Sequence, residues 1–188
     1  MTDLFVSYDS AYILDASAII NIAKNWEPHK EHADNKEKQK TKESIIEVLK
    51  ASKIFIHAEC AKEIKSEYEN DPASSFLEFC QQNNQSCVIS LEDSFLQNVQ
   101  SQLKEIYRQQ NYTHNAFKHW GNYFDADPWI ISFAKKHNCI VVNDESDQKD
   151  WRIPYICNKN SIKCINSINF IIELSNTYAN SMSNGQKL

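Results

Sequence analysis

Glycine is almost missing: Gly121 and Gly185 are the only two in 188 residues. That scarcity excludes the P-loop and the dinucleotide fingerprint, whose closely spaced glycines let backbone approach phosphate without a Cβ in the way. Nucleotide-dependent transferases of those types are ruled out. A basic excess is missing too. Asp and Glu outnumber Lys and Arg by 25 to 20, a formal net charge of -5, so any polyanion must be gripped locally. No apolar run is long enough to span a bilayer, and the opening MTDLFVSYDS has an early acid and no signal-peptide core. The expectation is a soluble, cytoplasmic protein with no membrane partner. Cysteines stand at 60, 80, 87, 139, 157 and 164 without C-x-x-C spacing. Zinc ribbons and thioredoxin-like sites are disfavoured, and scattered thiols in a reducing compartment are the simpler account.

What is present is enough apolar content, 41%, to fill one core. The expected organisation is a single domain over residues 1–180 and a disordered tail at 181–188. Tyr-Ile-Leu-Asp at 12–15 reads as a strand running into a helix, and Lys-Ile-Phe-Ile-His at 53–57 as a second strand followed by a helix over 59–69. Cys-Ile-Val-Val at 139–142 is a third. Residues 26–42 read as a polar loop before a helix at 43–51, and Asp71-Pro72 as a helix start. Cys87-Val-Ile-Ser predicts a short strand, and 91–110 a long polar helix. Asp127-Pro128 opens another helix, Ile153-Pro-Tyr-Ile-Cys157 reads as an edge strand because proline lacks a ladder donor, and 165–180 as a final helix. Strands alternating with helices imply a parallel sheet covered on both faces.

Acids follow three of these strands: Asp15, Glu63 on the next helix, and Asp144-Glu145. Asp127 begins the helix that precedes the third strand, so it belongs to the same sheet edge, where open parallel sheets bind ligands. Each acid also has an ordinary explanation. Asp15, with Ser17 beside it, could cap a helix, as could Asp127 before Pro128. Glu63 sits among Glu59, Lys62, Lys65, Glu67 and Glu69 on a solvated face, and Glu145 or Asp144 could be loop polarity. Convergence at one edge is what favours a hard divalent cation, which takes several oxygen ligands.

YILDASAII, CAKEI and DADPWIISFAKKHNCIVVNDES resemble the acidic blocks of the PIN-domain family. RIPYICNKNSIKCINSINFI is further similar to a PIN-like subfamily related to VapC-type toxins and without an assigned function. The resemblance spans most of residues 12–172. It implies a three-layer α/β/α PIN-like fold with a central, mostly parallel sheet, and a metal-dependent endoribonuclease leaving a 5′-phosphate and a 3′-hydroxyl. It makes Asp15 and Asp127 the central ligands of Mg²⁺ or Mn²⁺, with Glu63 and Glu145 completing the cluster. Asp144 is the alternative to Glu145, and Glu59 to Glu63. Asn143 stands where the family often has Thr or Ser, Ser17 is the small hydroxyl residue after the first acid, and Asp125 is an additional acid. The same resemblance implies the toxin of a toxin–antitoxin pair, with an antitoxin protein and a second copy as partners.

An RNA substrate also needs cations or stacking surfaces. Lys24, Arg152, Lys159 and Lys163 are the candidates for the first, and Trp26, Trp129 and Trp151 for the second, although Trp129 on an apolar helix suits a core position better. A histidine metal site is the weaker rival, since His29–His32 and His114–His119 lack an H-E-x-x-H pattern. An inactive RNA- or protein-binding module of the same fold is the rival of a different class.

Overall fold

The computed structural model describes residues 11–26, 43, 45–47, 49–50, 53–67, 71–90, 126–148 and 152–183. Apolar Tyr12–Leu14 forms β1, buried throughout, and Asp15 leads directly into α1 (Ala16–Trp26). Ala18, Ile19, Ile22 and Ala23 are buried at helical spacing along α1. Residues 43, 45–47 and 49–50 are helical and bury Ile45 and Leu49. β2 (Ile54–His57) is again fully buried and runs into α2 (Ala58–Glu67). α3 (Pro72–Asn83) starts as its sequence dictates: Asp71 accepts the Ala73 N–H at 3.0 Å, with Pro72 in the first turn.

A 3₁₀ turn at Gln85–Cys87 leads into β3 (Val88–Ile89). There follow α4 (Asp127–His137), β4 (Ile140–Val142), α5 (Ile153–Lys159), β5 (Cys164–Ile165) and α6 (Ser167–Ser183). The expected loop after α1 and the expected helix at 91–110 lie outside the described residues.

Among the described residues the strand pairings are all parallel, in the order β3-β2-β1-β4-β5. The sheet therefore grows outward from β1 in both directions. Register fixes the faces: Tyr12, Ile54 and Ile140 share one side, and Ile13, Phe55 and Val141 the other. On the first, Tyr12 meets Phe170 of α6 edge-on at 5.0 Å; on the second, Phe55 packs on Phe133 of α4 at 5.2 Å. Helices flank both faces, as right-handed crossovers require when a sheet grows both ways from its first strand. This is a mixed α/β fold with a parallel central sheet.

Two expectations need correction. Residues 153–157 are not an edge strand but the body of α5, burying Ile153, Ile156 and Cys157 at positions i, i+3 and i+4. Pro154 sits in the first turn, where its missing N–H has no partner to lose. The edge strand is instead Cys164–Ile165, and α6 extends to Ser183, so 181–183 are helical rather than tail. Among the described residues no helix is long and apolar enough to cross a membrane.

Candidate functional site

The strand order makes the crevice between the carboxyl ends of β1 and β4 the switch point, where connections leave in opposite directions. Asp15 and Asn143 are the first residues beyond those two strands, and they are only 6% and 3% exposed. The Asp15 N–H donates to the Val142 carbonyl at 3.0 Å, stitching the strand ends together. The Asn143 amide donates to Asp15 Oδ2 at 2.8 Å, and Ser17 donates to the same oxygen through Oγ at 2.7 Å and through N–H at 3.1 Å. Among the described residues Asp15 Oδ1 takes no hydrogen bond. The capping explanation of Asp15 is therefore correct, yet it occupies one oxygen and leaves the other for a ligand.

The network continues through the fourth acidic block. Ser17 Oγ accepts the Asp144 N–H at 3.0 Å, and Asn143 Oδ1 accepts the Glu145 N–H at 2.8 Å. Asp144 Oδ1 accepts the Ser167 N–H at the head of α6, also at 3.0 Å. Glu145 Oε1 is bound by the Arg152 guanidinium. Asp144 Oδ2 and Glu145 Oε2 are buried and have no hydrogen-bond partner. An unpartnered buried acceptor costs on the order of 1–3 kcal/mol, more when charged, and either a hydrogen-bond donor or a cation would satisfy it. Both members of the Asp144/Glu145 alternative thus keep an oxygen for one.

Glu63 and Asp127 come to the same region from other elements. The thiol of Cys60, fully buried on α2 and 3.9 Å from the Leu14 carbonyl, is pushed well above the ordinary thiol range. Burial is the main cause, and the carboxylates of Asp15, Glu63 and Asp127 add to it. Three separate acidic blocks are therefore felt at one thiol beneath β1. Glu59 is paired with Lys62 one turn on, and Glu63 is exposed on α2. Asp127 is not an N-cap: Ala126 holds that position with no capping side chain, and Asp127 is the first residue of α4. Asp125 lies outside the described residues.

The acids share an edge without forming a closed coordination shell. Among the described residues, no group of three or more His, Cys, Asp or Glu side chains could hold a metal ion. Only Arg152, at the start of α5, lies at the carboxyl edge among the four expected cations. Lys24 and Lys159 are in the last turns of α1 and α5, and Lys163 just precedes β5, all toward the opposite edge. Lys163 is paired with Glu173 at 2.9 Å, and Lys159 sits 5.5 Å from the Tyr155 ring centre. Trp129 is a core residue, stacked on His57 at 5.2 Å. The Trp26 and Trp151 side chains and both histidine pairs lie outside the described residues.

His57 carries no signal in the sequence beyond ending an apolar strand. It is 3% exposed, and its Nδ1 accepts the Glu59 N–H at 3.2 Å, which requires the proton on Nε2, a buried atom with no hydrogen-bond partner. Burial pulls its pKa down to about 4, with smaller opposing effects of Glu59, upward, and Lys62, downward.

Residues 12–178 match the family described as Domain of unknown function (DUF4411). The chain belongs to that family. No curated protein and no solved structure matches it. The PIN-domain and VapC-type resemblance is corrected by this match, which covers nearly all of the chain with a distinct family. An acid just past an apolar strand is common to ligand-binding parallel sheets, so the blocks that carried the resemblance do not separate one family from another. The toxin reading and its antitoxin partner came only through that resemblance and go with it.

Proposed function

We propose that this member of the DUF4411 family is a metal-dependent phosphodiesterase that cuts RNA internally. The observation that carries the reading is the switch-point network, in which Asp15 is fixed by Ser17 and Asn143 through Oδ2 alone while Asp144 and Glu145 each keep a buried carboxylate oxygen unpartnered. The donors are all oxygens, which suits Mg²⁺ or Mn²⁺ over softer ions. Since no three acids already stand together among the described residues, Asp15 with Asp144 or Glu145 would hold the ion first, and Asp127 and Glu63 would have to move to join them. Bound there, the ion supplies a water of lowered pKa and positive charge against the leaving oxygen. Ser17 and Asn143 hold the Asp15 carboxylate in one orientation, so little reordering is needed when a ligand arrives. An open edge with Arg152 beside it suits an extended polyanion.

The test is cleavage of structured and unstructured RNA, and of DNA of the same sequence, with Mn²⁺, Mg²⁺ or EDTA. The expected products are RNA fragments with 5′-phosphate ends, formed only with metal. Cleavage in EDTA or 2′,3′-cyclic phosphate ends would sink the metal mechanism, and cleavage of DNA alone would sink the choice of substrate.

A second reading, a non-catalytic RNA- or protein-binding module, is favoured by one observation: Glu145 is engaged by Arg152 rather than turned to its fellow acids. Binding of RNA without cleavage under any metal would select it.

A further inference from the structure

The end of α5 folds the chain back on its own last turn. The Cys157 carbonyl accepts the Ile162 N–H at 2.9 Å and the Asn160 N–H at 3.1 Å, and Ser161 between them takes the left-handed conformation, φ 56°. Ile162 is thereby set against Cys157, and Cys164, two residues further toward β5, falls on the same side of the chain. Lys163 points the other way, to Glu173 of α6 at 2.9 Å. Register agrees. Cys164 pairs with Val141, and that side of the sheet carries Phe55 packed on Phe133 of α4. The two sulfurs therefore meet, with the Cys157 thiol donating toward the Cys164 sulfur.

The partners are unequal. Cys157 is wholly buried, whereas Cys164 is half-buried and presents surface to solvent. The donated hydrogen holds the Cys164 thiol below the ordinary range, against its burial and the charges of Asp15 and Asp144, and raises that of Cys157. Since the thiolate is the nucleophile, the accessible sulfur is also the reactive one. Cys80 and Cys87 repeat the seven-residue spacing where α3 turns toward β3, at the other end of the sheet. Both are wholly buried, and burial pushes Cys87 up to about 11 and Cys80 higher still. Spacing alone does not make a reactive pair.

We propose that Cys157 and Cys164 form a peroxide-sensitive dithiol, closing to a disulfide that pins the last turn of α5 to β5. The Cys164 thiolate attacks a peroxide oxygen, the O–O bond breaks and hydroxide leaves, so that Cys164 is oxidised to the sulfenic acid while the peroxide is reduced. The Cys157 sulfur then attacks that sulfur, the S–O bond breaks, and the hydroxyl departs with the Cys157 proton as water. An added dithiol returns both thiols by exchange. The pin lies behind the switch point: Ile165 of β5 accepts the Asn143 N–H, and Ser167, two residues on, holds Asp144. The inference stands apart from the metal and RNA readings.

The test is a small molar excess of hydrogen peroxide on the folded wild type, followed by thiol counting under denaturing conditions and peptide mass mapping. Thiols are expected to fall from six to four, with one link, between Cys157 and Cys164 of the same chain, and dithiothreitol should restore all six. C157A, shown folded by far-UV circular dichroism, should accumulate a dimedone-reactive sulfenic acid on Cys164. C80A should still lose two thiols, as the wild type does, and C164A none. The wild-type map decides even if a variant fails to fold. Retention of all six thiols, a link between Cys80 and Cys87 or between two chains, or sulfinic acid on Cys164 with Cys157 still free would each overturn the proposal.

Discussion

Asn143 ties the site together through one short side chain. Its Nδ2 donates to the Asp15 carboxylate and to Ser17 Oγ, its Oδ1 takes the Glu145 N–H, and its own N–H reaches the Ile165 carbonyl at 3.0 Å. Removing it takes away one of the three donors to a buried carboxylate oxygen. Asn143→Ala should cost about 2 kcal/mol in urea unfolding, the usual loss for a hydrogen bond to a charged group. Asn143→Asp should go further in EDTA, because it sets a like charge beside Asp15, and Mn²⁺ should recover part of the loss. Recovery equal in the wild type and the variant would mean that the ion binds elsewhere.

His57 sets a pH dependence. Its folded pKa is about 4 against an ordinary 6.5. Above pH 6.5 neither state is charged; below it the unfolded chain takes a proton that the folded chain refuses, so stability falls as pH drops from about 6.5 to about 4 and then levels off. The full loss approaches about 3 kcal/mol. His137, also lowered by burial, acts in the same direction. His57→Phe should flatten the slope of the urea midpoint across this window while His137 keeps a remainder; an unchanged slope would refute the assignment. Asp15 and Asn143 were legible from sequence because each directly follows an apolar strand. His57 was not, because its burial depends on Trp129, brought against it only by the fold.

At the level of elements, proline and acid positions discriminate between capping and site roles. Asp71 caps α3 through its side chain, whereas Asp127 lies inside the first turn of α4, behind an Ala126 that caps nothing. Asp71→Ala should therefore cost about 1 kcal/mol. Asp127→Asn, which removes no cap, should instead weaken Mn²⁺ binding. Urea midpoints paired with calorimetry check the contrast, and the reverse pattern would remove Asp127 from the site. The strands β1, β2 and β4 were legible because burial on both faces leaves an unbroken apolar run. Residues 153–157 were misread because five residues with one proline fit either an edge strand or a first helical turn. The Ile153, Ile156, Cys157 spacing decides for the helix.

For the whole molecule, the order β3-β2-β1-β4-β5 does the assembling. It sets β1 beside β4, so that Asp15 and Asn143, distant in the chain, meet at 2.8 Å. Alternation of strands and helices foretold a parallel sheet, but the choice of neighbours depends on crossover direction, which local patterns do not encode. The same limit applied to charge: Lys24, Lys159 and Lys163 were expected near the acids, and helix direction carries them to the other edge. An ion that binds only the folded chain should stabilise it by about 2.7 kcal/mol at a hundred times its Kd. That linkage should vanish when Asp15 loses its charge.

The most direct measurement is the single-turnover rate of RNA cleavage in Mn²⁺ by the wild type and by Asp15→Asn, with unfolding midpoints matched in EDTA to show that both fold. Asparagine still accepts the Ser17 and Asn143 donors through its amide oxygen, so the variant isolates the charge. The account predicts a rate loss of more than about a hundredfold, beyond what loss of a supporting group around a metal site causes. Equal rates in the two proteins would contradict it.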